Sequence, residues 1–340
     1  MVKLPDALMK PDAYDERVEK IKLVQTHISW VFLTGKYAYK IKKPVNFGFL
    51  DFSTLEKRKF YCQKELELNR RLCPDIYIGV LPVTDDGKIN GSGKAVEYAL
   101  KMKQMPRDAL MSKLLDENKI NKGIIDRIAK IVADFHRNAE TNKEISKYGS
   151  TETIEFTWNE NFEQTKKFIG STITYRVFNE VGNRVKKFIG NNKNLFEKRV
   201  RENKIRWCHG DLHSGNIFIA GNRICIFDCI EFNPRLSCID TCSDAAFFSM
   251  DLDFHNKHDL SEYFVGQYVK YGGDRELAKL LNFYKCYRAY VRGKVTSLKL
   301  NDKTIDEEEK LEAMKTAKKY FELSHGYSKS LMSTADRQNV

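Results

Sequence analysis

Two short stretches of the sequence carry side chains suited to phosphoryl transfer. The first is the segment His209–Asn216, HGDLHSGN, and the second is an apolar run that ends at Asp228. A carboxylate placed like Asp211 orients an attacking hydroxyl and accepts its proton, while an amide oxygen and a second carboxylate hold the magnesium ions that neutralise a triphosphate. Asn216 and Asp228 offer such oxygen ligands, which suit Mg²⁺. We therefore predict Asp211 as the catalytic residue and Asn216 with Asp228 as the metal ligands.

The spacing of these residues follows the kinase pattern H-R-D-x-x-x-x-N and then D-F-G, with departures. Gly210 replaces the arginine, and Cys229-Ile230 follows Asp228. Single Asp and Asn residues in loops are usually turn formers. Here the three residues bracket a predicted hairpin, whose strands 217–219 and 224–227 are joined by a turn at Gly221-Asn222. The hairpin folds Asp228 back towards Asn216, which favours a shared metal site.

The elements that must position these residues change character along the chain. Residues 21–105 show mostly strand patterns, at 28–33, 37–41, 76–83 and 95–105, interrupted by one helix over 52–72. Ser53 and Glu56 form a capping-box pattern at the start of that helix. After Pro106 the pattern is helical, over 120–139, 156–196, 260–300 and 305–327. Strands followed by helices predict an α+β fold with two lobes.

Composition restricts the class of protein. The chain has 340 residues, of which 42% are hydrophobic, so it can bury a substantial core. It contains no apolar run of about 18 residues and no secretory signal, so we expect no membrane span. Eight cysteines without an export signal predict reduced thiols and a cytoplasmic location. The net charge of +12 is dispersed, so we expect anionic ligands such as nucleotides and no nucleic-acid partner.

The motif residues resemble those of the aminoglycoside phosphotransferase-like family of the protein-kinase-like fold. The resemblance extends over most of the chain and is closest to a largely uncharacterised bacterial and archaeal subgroup; it is carried by residues 26–35, 39–44, 50–55, 209–216, 228–232 and 287–292. It implies a bilobal α+β protein. A small antiparallel-sheet N-lobe with one helix would span residues 1–103, a hinge 104–106, and a larger helical C-lobe 107–340, with a helical insertion at about 151–205. The implied cofactors are ATP and Mg²⁺.

The resemblance also implies how the nucleotide is bound. Lys40 would meet the α- and β-phosphates as a point charge, and Glu65 on the following helix would pair with it. Lys42 points the same way, because strand side chains alternate, and is the fallback. Glu67 is a poorer partner, since two helical positions are about 200° apart.

Other contacts to the nucleotide follow from the resemblance. The glycine-rich phosphate loop of protein kinases is absent, and the segment containing Thr26, His27 and Ser29 takes its place. Lys103, Gln104 and Met105 would supply the hinge backbone that meets adenine.

The acceptor is implied to be a small molecule with a hydroxyl group. A net charge of +12 argues against polycationic aminoglycosides. Glu231 lies where the acceptor would approach, and His213 faces the phosphate or the substrate, whereas His209 is structural. The remaining candidates for the acceptor pocket are Trp158, Glu160, Arg288 and Arg292. An aromatic stripe is more often part of the core, and the two arginines could equally form a solvated face.

Some alternatives remain open. In the family the position of Asp240 supports the catalytic loop, but Asp240 and Asp244 are four residues apart and could equally be helix-start carboxylates. The protein could also be a nucleotide-binding regulator without acceptor chemistry, or a Ser/Thr protein kinase. Gly210 and the missing glycine-rich loop count against the protein kinase. The oligomeric state is not indicated by the sequence.

Overall fold

The computed structural model describes residues 4–302 and 305–331, and the chain divides into two compact units. Unit 1 comprises Met1–Leu114 and Gly215–Leu236, and unit 2 comprises Leu115–Ser214 and Ser237–Val340. The strands are β1 Lys22–Gln25, β2 Ser29–Leu33, β3 Tyr37–Lys42, β4 Tyr77–Thr84, β5 Ala95–Lys103, β6 Ile205–Trp207, β7 Ile217–Ala220, β8 Arg223–Ile226 and β9 Cys238–Asp240. The helices are α1 Leu55–Arg70, α2 Met111–Asp116, α3 Lys122–Asn138, α4 Lys143–Ser146, α5 Thr151–Thr165, α6 Tyr175–Asn191, α7 Lys193–Arg201, α8 Pro234–Ser237, α9 Thr241–Phe254, α10 His258–Gly272, α11 Leu277–Leu298 and α12 Glu307–Lys329. The predicted α+β class is confirmed.

Unit 1 is built on a five-stranded antiparallel sheet with the order β1-β2-β3-β5-β4. The central strand β3 places Lys40 opposite Val31 on one neighbour and Leu100 on the other. Phe32, Tyr39 and Ile41 are fully buried and belong to one apolar cluster of this unit. The sheet therefore holds Lys40 on a rigid central strand.

Helix α1 begins two residues after the predicted cap. Thr54, rather than Ser53, is the N-cap residue, and its hydroxyl accepts the backbone N–H of Lys57. The side chains that α1 buries are unusually polar, and they include Arg58, Glu65 and Asn69. Because this face is polar, an apolar periodicity could not reveal which side of the helix is buried.

The hairpin of β7 and β8 is confirmed, and it belongs to unit 1 rather than to the helical part of the chain. Gly221 occupies its turn with φ of 57°, a left-handed conformation that glycine adopts without strain. An antiparallel bridge joins Phe218 to Leu110, and a disulfide joins Cys225 to Cys73. The prediction that the cysteines are reduced thiols is therefore wrong for this pair. The two cysteines are 152 residues apart in sequence, so no local pattern indicates their pairing.

Unit 2 is mostly helical, with β6 and β9 paired antiparallel. The predicted helical stretch 156–196 is divided among α5, α6 and the start of α7, and the stretch 260–300 is divided at Gly273, which ends α10 with φ of 73°. Trp158 of α5 lies in an aromatic core and contacts Phe162 and Phe283. None of the helices among the described residues combines the length and the apolar character needed to cross a bilayer.

A buried arginine joins three segments of unit 2. Arg199 of α7 is 1% exposed and donates to both carboxylate oxygens of Asp240 and of Asp274. Asp240 in turn caps α9 by accepting the N–H of Cys242. The predicted alternative for Asp240, a helix-start carboxylate, is therefore confirmed.

We expect Arg199→Met to lower the free energy of unfolding by about 3–5 kcal/mol, because it leaves two buried carboxylates without their cation. Urea titration monitored by circular dichroism measures this loss. Arg201→Met is the matched control, since that exposed side chain pairs with Glu197 on the same helix surface and its loss should change stability by less than about 1 kcal/mol. Equal losses in the two variants would contradict this role of Arg199.

Candidate active site

The central charged group of unit 1 is Lys40. Its ammonium nitrogen lies 2.8 Å from Glu65 Oε1 and 2.7 Å from Asp228 Oδ1, so one cation bridges α1 and the segment after β8. The predicted Lys40–Glu65 pair is present. The additional contact to Asp228 shows that the predicted phosphate-binding lysine and the predicted metal ligand lie at one place in this unit.

Lys42 follows on the same face of β3 and is 1% exposed. It donates to Glu65 Oε2 at 2.7 Å and to Glu231 Oε1. The structure therefore gives Glu231 a different position from the predicted one: its side chain is 5% exposed, and its carboxylate pairs with Lys42 instead of facing an acceptor. Glu67, in contrast, bonds Lys64 near the surface, which agrees with its rejection as the partner of Lys40.

Burial and opposite charges shift the pKa values of these groups. Burial raises the pKa of the Glu65 carboxyl, but the ammonium groups of Lys40 and Lys42 outweigh burial and lower it to about 2. The pKa of Lys40 stays well above its usual range because Asp228 and Glu65 outweigh the cost of burying the cation. Burial raises the pKa of Glu231. Lys40 and Glu65 are thus a charged pair at neutral pH.

The hairpin brings the two predicted metal ligands to the same end of its strands. Ile217 pairs with Ile226, and the backbone N–H of Phe227 donates to the carbonyl of Asn216. Asp228, the next residue, has φ of 67°, a left-handed conformation that is uncommon for any residue but glycine. Residues other than glycine that are held in this conformation are often found at functional sites, where the surrounding structure imposes it.

Two hydrogen bonds hold the Asp228 turn in this conformation. The hydroxyl of Tyr77 accepts the N–H of Asp228, and Asn69 Oδ1 accepts the N–H of Cys229 at 2.9 Å. The Asp228 side chain remains 43% exposed. An exposed carboxylate and an amide oxygen at the end of one hairpin are hard oxygen donors, which fit Mg²⁺ with its retained waters.

The predicted phosphate segment is the turn between β1 and β2. Thr26 Oγ1 accepts the N–H groups of Ile28 and Ser29, and this arrangement leaves Thr26 and His27 exposed at the tip. Ser29 is fully buried, so its hydroxyl is not at the surface of the turn. A phosphate contact by Thr26 and His27 stays a prediction.

The predicted hinge residues continue β5. The N–H groups of Lys103 and Gln104 donate to the carbonyls of Ile76 and Lys36. Met105 packs against a cluster that includes Tyr77 and Leu100. An apolar cluster beside the end of β5 is compatible with adenine, and the contact itself stays a prediction.

In unit 2, the loop that carries Asp211 is held by backbone hydrogen bonds. Asp244 of α9 accepts the N–H of His209 at 2.9 Å and the N–H of Gly210 at 3.0 Å. About two turns further along α9, Asp251 accepts the N–H of Ser214 at 2.8 Å. The residue that supports the loop directly is therefore Asp244 and not Asp240.

Gly210 explains the departure from the kinase pattern. Its φ is 87°, a conformation that an arginine at this position would adopt only with strain. Its carbonyl accepts a hydrogen bond from Arg288 Nη1 at 2.8 Å, and Arg288 Nε also donates to the hydroxyl of Ser243. Arg288 is 6% exposed, so the structure assigns it to the support of the loop and not to an acceptor.

Asp211 itself lies beside His213 and Arg292. Burial raises its pKa, but the interaction with His213, whose Nε2 lies 3.3 Å from Asp211 Oδ2, and then that with Arg292 leave the pKa well below its usual range. The N–H of Asp211 donates to His209 Nδ1. The fully buried His209 is therefore structural, as predicted, whereas His213 and Arg292 lie next to the predicted catalytic carboxylate.

The two α5 candidates differ. Trp158 is 2% exposed and packs edge-on against Tyr287 in the aromatic core, so its ring is not available to an acceptor. Glu160 is only partly buried and stays a prediction. Aromatic residues at helical spacing are a weak indication of an acceptor pocket, because core packing produces the same pattern.

Sequence reasoning missed Asn69, Tyr77, His136 and Asp251. His136 lies beside Cys208 and Asp244, and their ligand atoms all fall within 4.8 Å of one another. His136 bonds Asp244 Oδ2 and the hydroxyl of Tyr268, and Asp244 already accepts two backbone N–H groups. Since these atoms are engaged in holding the loop, we interpret the group as structural.

Residues 69–252 match the family described as "Phosphotransferase enzyme family". Uncharacterised proteins of Mycobacterium tuberculosis and Mycobacterium bovis are 32% identical over 281 residues, which is 83% of this chain. The chain spans 55% of the length of these relatives.

Solved structures share the fold at low identity. A choline kinase from Cryptosporidium parvum aligns with a TM-score of 0.57 at 12% identity, covering 94% of this chain and 90% of that one. The GDP complex of aminoglycoside 2'-phosphotransferase-IIIa aligns with a TM-score of 0.53 at 13% identity, covering 91% and 94%. A choline/ethanolamine kinase family protein from Mesorhizobium loti gives 0.52 at 11%, covering 92% and 93%.

The carboxylate that supports the Asp211 loop should be visible in the pH dependence of stability. Burial raises the pKa of Asp244, but the hydrogen bond from His136 and neighbouring charges lower it further, to about 2 from an ordinary 3.8. Its contribution, on the order of 2 kcal/mol, is present above the ordinary value and is lost as the pH falls towards 2. We expect Asp244→Asn to be less stable at pH 7, with the difference from wild type shrinking below about pH 4.

Urea unfolding of both proteins between pH 2 and pH 7 measures this difference. Asp259→Asn is the control, because it removes an exposed carboxylate from the start of α10. A stability difference that is constant across this pH range would contradict a stabilising charge on Asp244.

Proposed function

The chain belongs to the phosphotransferase enzyme family, and we propose that it transfers the γ-phosphate of ATP to a hydroxyl group of a small molecule. The observation that carries this proposal is the position of Lys40 between Glu65 and Asp228. A lysine that is held by a helix carboxylate, and that also reaches a metal-binding aspartate, is the arrangement that phosphoryl transfer enzymes use to bind a triphosphate.

Asn216 and Asp228 would hold the metal, which when bound neutralises the phosphate charges and lowers the barrier to transfer. The donor set supports Mg²⁺, since both side chains offer hard oxygens and the exposed fraction of Asp228 leaves room for bound water. Lys40 would shift from Asp228 towards the α- and β-phosphates, and Glu65 would keep it within reach. Thr26 and His27 would cover the phosphates, and Lys103–Met105 would meet adenine.

Asp211 would orient the acceptor hydroxyl and accept its proton. Its low pKa makes it a charged hydrogen-bond acceptor at neutral pH, which supports an orienting role more than that of a strong base. His213 and Arg292 would lie beside the hydroxyl or the phosphate.

A role as a protein kinase has less support. Residues 229–233 are all that separate Asp228 from α8, so the chain lacks a long segment there to receive a peptide substrate. Gly210 removes the arginine that would pair with a phosphorylated activation segment. A regulator without acceptor chemistry would bind nucleotide through Lys40, Glu65 and Asp228 and would not turn it over.

We expect Asp211→Asn to lower acceptor-dependent phosphoryl transfer by about 10²- to 10⁴-fold while nucleotide binding persists, because only the group that orients and deprotonates the hydroxyl is changed. A library of hydroxyl-containing metabolites, tested with ATP and with GTP in a coupled nucleotide-consumption assay, identifies the acceptor. Asp259→Asn serves as the control. If wild type and Asp211→Asn show the same low turnover with every acceptor, the protein is a nucleotide-binding regulator instead.

A second prediction concerns the metal-dependent binding of nucleotide. At a ligand concentration of about 100 times Kd, MgATP should stabilise the wild type by about 2.7 kcal/mol, seen as a rise in melting temperature. Asp228→Ala should abolish the part of this rise that depends on Mg²⁺. Asp75→Ala, which removes an exposed carboxylate of the same unit, should retain it. Equal metal dependence in wild type and Asp228→Ala would exclude Asp228 as a ligand.

A further inference from the structure

Lys42 has no role in the proposed reaction, yet it is one of the most deeply buried cations of the chain. At 1% exposure it cannot reach a phosphate in solvent, and its ammonium lies 4.7 Å from the centre of the Phe52 ring. Lysine is rarely buried so completely unless it is paired, because desolvating an ammonium is costly. Glu65 and Glu231 provide this pairing. The burial of Lys42 therefore depends on its pairing with Glu65 and Glu231.

The ion pairs of Lys40 and Lys42 join into one row of side chains with alternating charge, which we call the charge chain. It runs from Asp228 through Lys40, Glu65 and Lys42 to Glu231. Glu65 lies at its centre, with Oε1 bonded to Lys40 and Oε2 bonded to Lys42. The two ends of the charge chain are three residues apart in sequence, so it fastens the segment 228–231 at both ends.

A hydrogen bond fastens the middle of the same segment. Asn69 Oδ1 accepts the N–H of Cys229, and Asn69 Nδ2 donates to the carbonyl of Glu65 one helical turn earlier. Helix α1 thus holds Asp228 through Lys40, Cys229 through Asn69, and Glu231 through Lys42. Three contacts on one short segment restrict both its position and its rotation.

We propose that Lys42 and Glu231 are positioning residues, which keep Asp228 in its metal-binding conformation by fixing the segment after it on α1. This proposal rests on the proposed function of Asp228. Buried ion pairs contribute little net stability compared with apolar residues of similar volume, because desolvation offsets the attraction. The pair instead fixes the position of the segment 228–231 relative to β3 and α1. Lys42 also keeps hold of Glu65 when Lys40 turns towards the nucleotide.

The charge chain includes a strained residue that needs such support. The left-handed φ of 67° at Asp228 persists only where its surroundings impose it. Tyr77 supports the residue from the strand side. Without Glu231 anchored three residues later, the segment would be free to relax and rotate the carboxylate away from Asn216.

The test replaces both members of the pair at once, so that no buried charge is left alone. In Lys42→Met/Glu231→Gln, we expect amide hydrogen exchange of residues 228–236 in the free protein to accelerate by about tenfold or more, since local opening no longer breaks an anchored contact. The affinity for a nonhydrolysable ATP analogue with Mg²⁺, measured by calorimetry, should fall by about tenfold to a hundredfold. The affinity without Mg²⁺ should change much less.

Arg58→Met/Glu97→Gln is the matched control. Arg58 Nε and Glu97 Oε2 are 2.7 Å apart in a buried ion pair of the same unit, and the other hydrogen bonds of Arg58 run to the carbonyls of Phe52 and Ser53, outside the charge chain. This variant should lose comparable stability and keep both the exchange of residues 228–236 and the Mg²⁺-dependent affinity. Identical behaviour of the two double variants would overturn the proposal and leave Lys42–Glu231 a purely structural pair.

Glu231→Gln is the second variant, for use if the double variant does not fold. It retains an amide oxygen for Lys42, so we expect the same changes at a few-fold size. If Glu231→Gln showed the same amide exchange and the same Mg²⁺-dependent affinity as the wild type, the proposal would be overturned. If the wild type binds no Mg²⁺–nucleotide analogue, the proposed function fails, and the exchange measurement alone then decides whether Lys42 and Glu231 fix the segment.

Discussion

The structure of unit 1 depends on a single carboxylate, Glu65, that two lysines share. Two ammonium groups on one face of β3 are tolerated in the interior only because a buried anion lies between them, and Asp228 and Glu231 add further negative charge on the outer sides. Removing Glu65 leaves two lysines without the anion between them, and removing Lys42 leaves the buried Glu231 unpaired, which are costly changes in a low-dielectric site. The charge chain therefore couples the sheet, helix α1 and the segment after the hairpin into one arrangement.

Unit 2 also uses buried charged groups to hold a segment in place, but here the carboxylates accept backbone N–H groups of a loop. A loop that carries a catalytic candidate must present backbone N–H groups inward without regular secondary structure. Two carboxylates of α9, Asp244 and Asp251, accept these groups, and Arg288 donates to the carbonyl of Gly210 from α11. The anions are buried, and the hydrogen bond from His136 together with the charge of Arg288 lowers the pKa of Asp244. Both units therefore use buried charge for geometry at the positions where an apolar core alone would leave a loop free to move.

The sequence predicted the parts of this arrangement that depend on local rules. Alternation along β3 placed Lys40 and Lys42 on one face, and the hairpin turn placed Asn216 near Asp228. Apart from the Lys40–Glu65 pair, which the family resemblance implied, it did not predict contacts between residues far apart in sequence. Glu231 was predicted to lie where the acceptor approaches, because nothing local indicates that a buried Lys42 pairs with it, and Cys73 gave no sign of its pairing with Cys225. The sequence predicted Asp240 and Asp244 on one helical face, so periodicity could not tell which of them holds the loop; in the structure Asp240 is the N-cap that precedes α9.

The central claim is that Asn216 and Asp228 bind the metal that accompanies a nucleotide. A crystal structure of the protein with a nonhydrolysable ATP analogue and Mg²⁺ tests it most directly. We expect a magnesium ion about 2.0–2.1 Å from an oxygen of each side chain, with Lys40 moved from Asp228 towards the phosphates. A metal bound elsewhere, or a nucleotide bound with Lys40 still paired to Asp228, would contradict it.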